Sequence, residues 1–239
     1  MSTKAQSMMN DNAQQRNRLI ISVIIVVAVV AVLAIILLSN GSGGTANDYS
    51  GLNQTRLADG GFVIGSPDAK VTIVEFADYA CPVCQSYLPV MEQFFNDYVK
   101  TGKAKFEYRI FPTHGGQMTH FMGQLVECFE EQKPGSFWVA KDLLFQSSMR
   151  GSYDDSTGRT VANQLGVDYT KALTCSNSAK QVDTDIALGQ RLKINGTPAV
   201  MVRYGDADPQ FITFAGQTYS QGGPPLAVLA AEVAAGSSG

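Results

Sequence analysis

Cys81-Pro82-Val83-Cys84 stands at the seam between two unlike patterns. Before it, Val71, Ile73, Val74 and Phe76 form the short apolar, β-branched run of a strand buried on both faces. After it, Tyr87, Leu88, Met91, Phe94, Phe95 and Tyr98 recur at three- and four-residue steps until Gly102, the pattern of a helix with one apolar face, in which Pro89 should introduce a kink. Residues three apart on a helix share a face, and a Cα separation of roughly 5 Å lies inside the window a disulfide requires. Two such sulfurs can bond, open and bond again. Cys81 falls at the helix start, where free backbone N–H groups and the positive end of the helix dipole favour a thiolate, which is the nucleophile. The placement points to thiol-disulfide exchange.

The surrounding chain supplies a mixed α/β domain. Residues 104–111 read as a second strand, closed by Pro112 and Gly115-Gly116, and residues 117–193 turn helical, with segments at 118–129, 137–145, 160–165 and 182–192. Two strands follow Asn195-Gly196-Thr197-Pro198, at 200–204 and 210–214, joined by the turn-forming Gly205-Asp206-Ala207-Asp208-Pro209, and a last helix at 226–233 follows Pro224-Pro225.

Residues 19–38 are an unbroken run of Leu, Ile, Val and Ala except for Ser22. At 1.5 Å per residue such a helix spans about 30 Å, one bilayer crossing. The apolar stretch of a cleaved signal peptide is only ~7–15 residues, and Ser39-Asn40-Gly41-Ser42 lacks a small-residue cleavage pattern, so the run reads as an uncleaved anchor. Lys4, Arg16 and Arg18 precede it and no Lys or Arg follows until Arg56, which keeps the tail 1–18 in the cytoplasm and the remainder extracytoplasmic. Residues 39–59, rich in Gly, Ser, Asn and Thr, read as a flexible tether, and residues 60–239 as one domain. Four cysteines suit an oxidising compartment and permit three pairings that the sequence alone does not rank. A net charge of −3 leaves no electrostatic footprint for nucleic acid.

The motifs Val74-Glu75-Phe76-Ala77-Asp78-Tyr79-Ala80-Cys81-Pro82-Val83-Cys84, Gly135-Ser136-Phe137-Trp138 and Gly196-Thr197-Pro198, in that order, resemble the thioredoxin superfamily, and more narrowly the DsbA-like bacterial thiol:disulfide oxidoreductases. The resemblance implies an α/β thioredoxin fold with a helical insertion, here preceded by a single transmembrane helix. It makes Cys81 the attacking cysteine, Cys84 its buried resolving partner and Pro198 a cis-proline facing them. Thr197, Pro82 and Val83 would lie against the substrate. Glu75, six residues before Cys81, matches the family's buried acid, which would take up or return the Cys84 proton; its other reading is a solvated edge residue. Asp78 and Tyr79 would only shape the loop. Cys128 and Cys175 match a structural disulfide, contributing roughly 4 kcal/mol in the chain-entropy model.

No bound cofactor or metal is implied. The implied partners are cysteine-containing extracytoplasmic proteins and a membrane redox partner that re-oxidises or reduces the pair. Two rivals come from other classes. Cys81, Cys84, His114 and His120 could make a zinc site, against which stand their spacing and the long helix that the pair opens. Met118, Phe121 and Met122 could make the chain a non-catalytic peptide-binding module, although such a stripe usually faces a core. Val83 stands where strongly oxidising relatives carry histidine, which predicts a milder oxidant. Disulfide formation is the expected direction, with isomerase or reductase as the alternative.

Overall fold

The computed structural model describes residues 47–237. The tail 1–18, the expected anchor 19–38 and the first part of the expected tether lie outside the described residues. Among the described residues no helix is long and apolar enough to cross a membrane.

The strand leading to the cysteines, β3 (Val71–Ala77), is buried at every position. It lies in the middle of a seven-stranded sheet whose other members are β1 (Gln54–Arg56), β2 (Phe62–Gly65), β4 (Lys105–Ile110), β5 (Ala199–Tyr204), β6 (Gln210–Phe214) and β7 (Gln217–Tyr219). The order is β1-β2-β4-β3-β5-β6-β7, with β3 parallel to β4 and every other pairing antiparallel. Alternation along β3 divides its side chains between two cores. Val71, Ile73 and Ala77 join a large cluster that contains Cys84, Tyr87, Met91 and Phe94, whereas Val74 and Phe76 pack with Phe111, Leu188, Ile194, Ala199 and Met201. Glu75 therefore points to the face that carries Cys84.

Helix α1 (Pro82–Phe94) is the parallel crossover between β3 and β4 and runs on through Pro89, ending in a π-helical turn, Phe95–Val99. Between β4 and β5 lies the helical insertion: α2 (Gly116–Gln132), α3 (Ser136–Met149), α4 (Thr157–Leu165), α5 (Tyr169–Ser176) and α6 (Gln181–Arg191). Helix α7 (Leu226–Ser237) closes the chain. Cys128 of α2 and Cys175 of α5 form a disulfide, with Cα atoms 5.9 Å apart and 47 residues of sequence separation. On the opposite face of the sheet, the fully buried Arg109 binds Glu107 at 2.7 Å and Asp185 at 2.9 Å, which fastens α6 to β4.

Three strands and one helix go beyond the sequence expectation. β1, β2 and β7 are three or four residues long, too short for alternation to register, and α5 is eight residues with little apolar periodicity. Within the stretch expected as a tether, residues from Asn47 onward lie on the domain. Tyr49 is buried, its ring 5.3 Å from that of Phe95 and its hydroxyl donating to Asp142 Oδ2 at 2.9 Å, and β1 pairs with β2. Tyr49 and Leu52 are apolar anchors in an otherwise polar segment, and two such side chains suffice to dock it.

Candidate active site

Cys81 is the N-cap of α1, extended at φ −75° and ψ 118°, and Pro82 begins the helix, where its missing N–H costs nothing. The Cys81 N–H donates to Asp78 O at 3.1 Å, and Cys81 O accepts from Gln85 N at 3.1 Å. Across a gap in sequence of more than a hundred residues, the loop before β5 brings the cis Thr197–Pro198 bond to the same place. The Cys81 thiol donates to Thr197 O at 3.3 Å. Val83, beside it, is half exposed, and Cys84, one turn into the helix, is 1 % exposed. Both sulfurs are free thiols. Burial pushes the Cys84 thiol well up, with the nearby Glu75 and Cys81 charges adding to the rise; hydrogen bonds from the Asp78 backbone and the Thr197 side chain oppose it.

Glu75 is buried beneath this pair, which disposes of the solvated alternative. Loss of solvent raises its carboxyl from the usual 4.5 to about 7, with Lys141 pulling the other way. Lys141 escaped the sequence reading. It sits in α3, 7 % exposed, with Nζ 2.6 Å from Asp142 Oδ1 and 5.7 Å from the centres of the Tyr108 and Phe145 rings. Burial works against its ammonium, yet the charges of Asp142, Tyr49 and Glu75 outweigh it and raise its pKa. Tyr108 is the residue of β4 that pairs with Glu75, so the cation and the acid meet over the centre of the sheet. A charged Lys-Asp pair inside the apolar run 137–145 was the available signal.

Asp78 does more than shape a loop. Fully buried, it accepts from Ala80 N at 2.9 Å, Thr113 N at 2.7 Å, Gly115 N at 2.8 Å and Thr119 Oγ1 at 2.5 Å. It thereby ties the turn carrying Cys81 to the loop after β4 and to α2. Thr113 reaches on to Thr197, their hydroxyls 2.6 Å apart. Gln85 Nε2 bridges Tyr79 O and Ser148 Oγ, which joins α1 to the end of α3.

The remaining candidates fall elsewhere. His114 is exposed, and His120 pairs with Asp183 at 2.8 Å rather than turning to the cysteines. Among the described residues, the group whose ligand atoms approach metal-site spacing is Cys128, Glu131 and Cys175, whose sulfurs are already bonded to each other. Met122 is core and Phe121 and Met118 are partly buried against it, so that stripe is mainly internal.

A family model described as thioredoxin matches residues 57–209. The probable disulfide bond formation protein D of Bacillus anthracis is 27 % identical over 157 residues, covering 62 % of this chain and 72 % of that protein. Among solved structures, oxidised BdbD from Bacillus subtilis superposes with a TM-score of 0.59 at 22 % identity, covering 74 % of this chain and 92 % of that one. Wolbachia pipientis alpha-DsbA1 gives 0.58 at 20 % identity, covering 72 % and 88 %.

Proposed function

We infer from the chain's membership of the thioredoxin family, whose model spans residues 57–209, that it is a DsbA-like thiol:disulfide oxidoreductase, and propose that Cys81 and Cys84 are its redox pair. The observation that carries this reading is the meeting of Cys81 with Thr197 O at 3.3 Å, above a Cys84 that solvent does not reach. Cys81, 6 % exposed at the start of the helix, is the outer sulfur that meets a partner's sulfur, and Cys84, 1 % exposed, is reserved for the intramolecular step.

In the forming direction, a substrate thiolate attacks Cys81 Sγ of the Cys81–Cys84 disulfide. The bond between the enzyme sulfurs breaks, a substrate–Cys81 disulfide forms and the Cys84 thiolate is released. Glu75, poised near neutrality, gives that thiolate a proton. A second substrate thiolate then attacks the substrate sulfur of the mixed disulfide and expels Cys81, leaving the substrate oxidised by two electrons and both enzyme cysteines reduced. Thr197, whose carbonyl already faces Cys81, together with Pro82 and the exposed Val83, is the surface on which the substrate chain rests. The Cys128–Cys175 bond takes no part, since no further cysteine of the chain is left to resolve a mixed disulfide there.

The apolar run 19–38 is proposed as a single-pass anchor that leaves the catalytic domain extracytoplasmic, where cysteine-containing proteins are its substrates and a membrane redox partner restores the oxidised pair. The disulfide between Cys128 and Cys175 and the relatives' disulfide-formation names support that compartment. The test is oxidation of a dithiol peptide. Cys81→Ser should abolish it, and wild-type turnover in that variant would reject the enzyme reading. The reduction potential of the pair sets direction, and a value near that of thioredoxin, roughly −270 mV, would replace oxidase by reductase.

A further inference from the structure

Residues 221–225, in the connection from β7 to α7, take no part in the chemistry above, yet three hydrogen bonds fasten them around the cysteine pair and Thr197. Tyr87, buried on α1 three residues after Cys84, donates its hydroxyl to Pro224 O at 2.6 Å. The Gly222 N–H donates to Pro198 O at 2.9 Å. Gln221 Nε2 donates to Asn195 Oδ1 at 2.6 Å. The segment lies directly against the tyrosine ring, because a Cβ at Gly223 would stand 2.4 Å from Tyr87 Cζ, and its φ of +74° also calls for glycine. It is a strap from α1 to the loop before β5.

The strap grips the Thr197 peptide from both directions. Upstream, the Ile194 N–H is bonded to Gly189 O, and downstream Ala199 pairs with Phe76 in the sheet. Within this interval the Thr197 carbonyl lies in the planar unit shared with Pro198, and the proline ring fixes the next dihedral. One soft dihedral remains at Pro198, and the Gly222 N–H holds it through Pro198 O. The carbonyl that meets Cys81 Sγ at 3.3 Å is therefore aimed from its C-terminal side by Gly222, while Gln221 restrains Asn195, two residues before it. Tyr87 places that carbonyl and the two sulfurs in one frame.

We propose that Tyr87 and Gln221 are positioning residues which, through this strap, hold the Thr197 carbonyl where an extended substrate chain rests, and so set affinity for a peptide without altering the exchange between sulfurs. This rests on the Cys81–Cys84 pair being the redox centre and Thr197 its substrate surface.

The experiment mixes the oxidised full-length protein, in excess, with a reduced peptide carrying two cysteines in an extended segment. The half-saturating protein concentration reports binding, and the plateau rate reports exchange. Dithiothreitol, a dithiol with no peptide backbone, is the control; in both reactions two substrate thiols become one disulfide and the Cys81–Cys84 bond is reduced. In Tyr87→Phe the half-saturating concentration should rise roughly 2–10-fold, the consequence of one lost neutral hydrogen bond, with the plateau and the dithiothreitol rate retained. Gln221→Ala, at an exposed position that the fold does not need, should raise it about 2–3-fold, and Asn195→Ala equally. Asn195→Asp keeps an acceptor for Gln221 and should bind like the parent, and combining Gln221→Ala with Asn195→Ala should add nothing to either. Unchanged half-saturation in Gln221→Ala and Tyr87→Phe, no rescue by aspartate, or an equal slowing with dithiothreitol would each overturn the proposal. If Cys81→Ser is inactive while the strap variants bind normally, only the strap's role fails; exchange that survives Cys81→Ser removes the redox pair itself.

Discussion

Replacing Glu75 by glutamine keeps its shape and removes its charge, and the structure fixes what that change should be worth. Burial raises the carboxyl from 4.5 to about 7 at a site that is 3 % exposed. At about 1.36 kcal/mol for each pH unit between those values, ionising Glu75 costs about 3 kcal/mol more in the folded protein than in the unfolded chain. The native state therefore binds the extra proton between 4.5 and 7. The stability this confers is complete below 4.5 and is lost as the pH rises to about 7. Glutamine carries no such penalty, so the stability of Glu75→Gln relative to the parent should climb by about 3 kcal/mol across that interval and level off above it. Urea denaturation at a series of pH values, in a background with Cys81 and Cys84 replaced by alanine, isolates the effect from redox state and leaves Cys128–Cys175 intact. Parallel stability curves for the two proteins would refute the placement of an ionising acid under the pair. With the cysteines restored, the collapse of a glutathione adduct should slow on the order of 10²-fold and lose its inflection near neutrality.

Lys141→Met removes the cation that opposes the rise at Glu75, so the inflection of the collapse rate should move above pH 7, and leaving Asp142 buried without its partner should cost roughly 3–5 kcal/mol in urea denaturation. An unmoved inflection would detach Lys141 from the proton step. Replacing Cys128 and Cys175 together by serine should lower stability by roughly 4 kcal/mol while leaving the exchange rate of folded molecules unchanged, and a fall in that rate would give the second pair a catalytic part. Val83→His, at a half-exposed position that accepts a larger ring, adds a cation beside the Cys81 thiolate and should make the pair more oxidising in equilibrium with glutathione buffers; an unaltered potential would reject the electrostatic account of the dipeptide.

The parts of this molecule that were legible in its residues are those where one local pattern decides the outcome. β3 and the start of α1 are adjacent in sequence, so Cys81, Cys84 and the face of Glu75 follow from a period of two meeting a period of 3.6. The hairpin strand at Gln210–Phe214 was read to the residue because turn formers bracket it. What stayed hidden depends on approach across the fold. Lys141 and Glu75 are 66 residues apart, and only the stacking of α3 over β4 brings an ammonium to the acid. Thr113 and Thr197 are 84 residues apart, and neither is unusual in its own neighbourhood. The docking of residues from Asn47 onward turns on Tyr49 finding Asp142, a contact that composition cannot register in a segment otherwise built like a linker.

Cys84 is thus approached from two sides that do different things. From the sheet side come Glu75 and Lys141, charges whose balance determines where a proton resides. From the loop side comes Thr197, neutral, its hydroxyl 2.6 Å from that of Thr113 and its carbonyl 3.3 Å from Cys81 Sγ. A buried thiolate and a buried carboxylate side by side would face the full penalty of like charges in a poorly solvated place, so burial holds the Cys84 proton on its sulfur and raises the Glu75 carboxyl to about 7, with Lys141 the cation that opposes the rise at Glu75. In the proposed mechanism, a proton passed between Glu75 and Cys84 lets the disulfide open and close without a net charge entering or leaving the core. The hydroxyl pair cannot substitute for it, because a threonine neither gains nor loses a proton at neutral pH. Loss of the acid must therefore erase a titration from the rate profile, which no change at a hydroxyl can do.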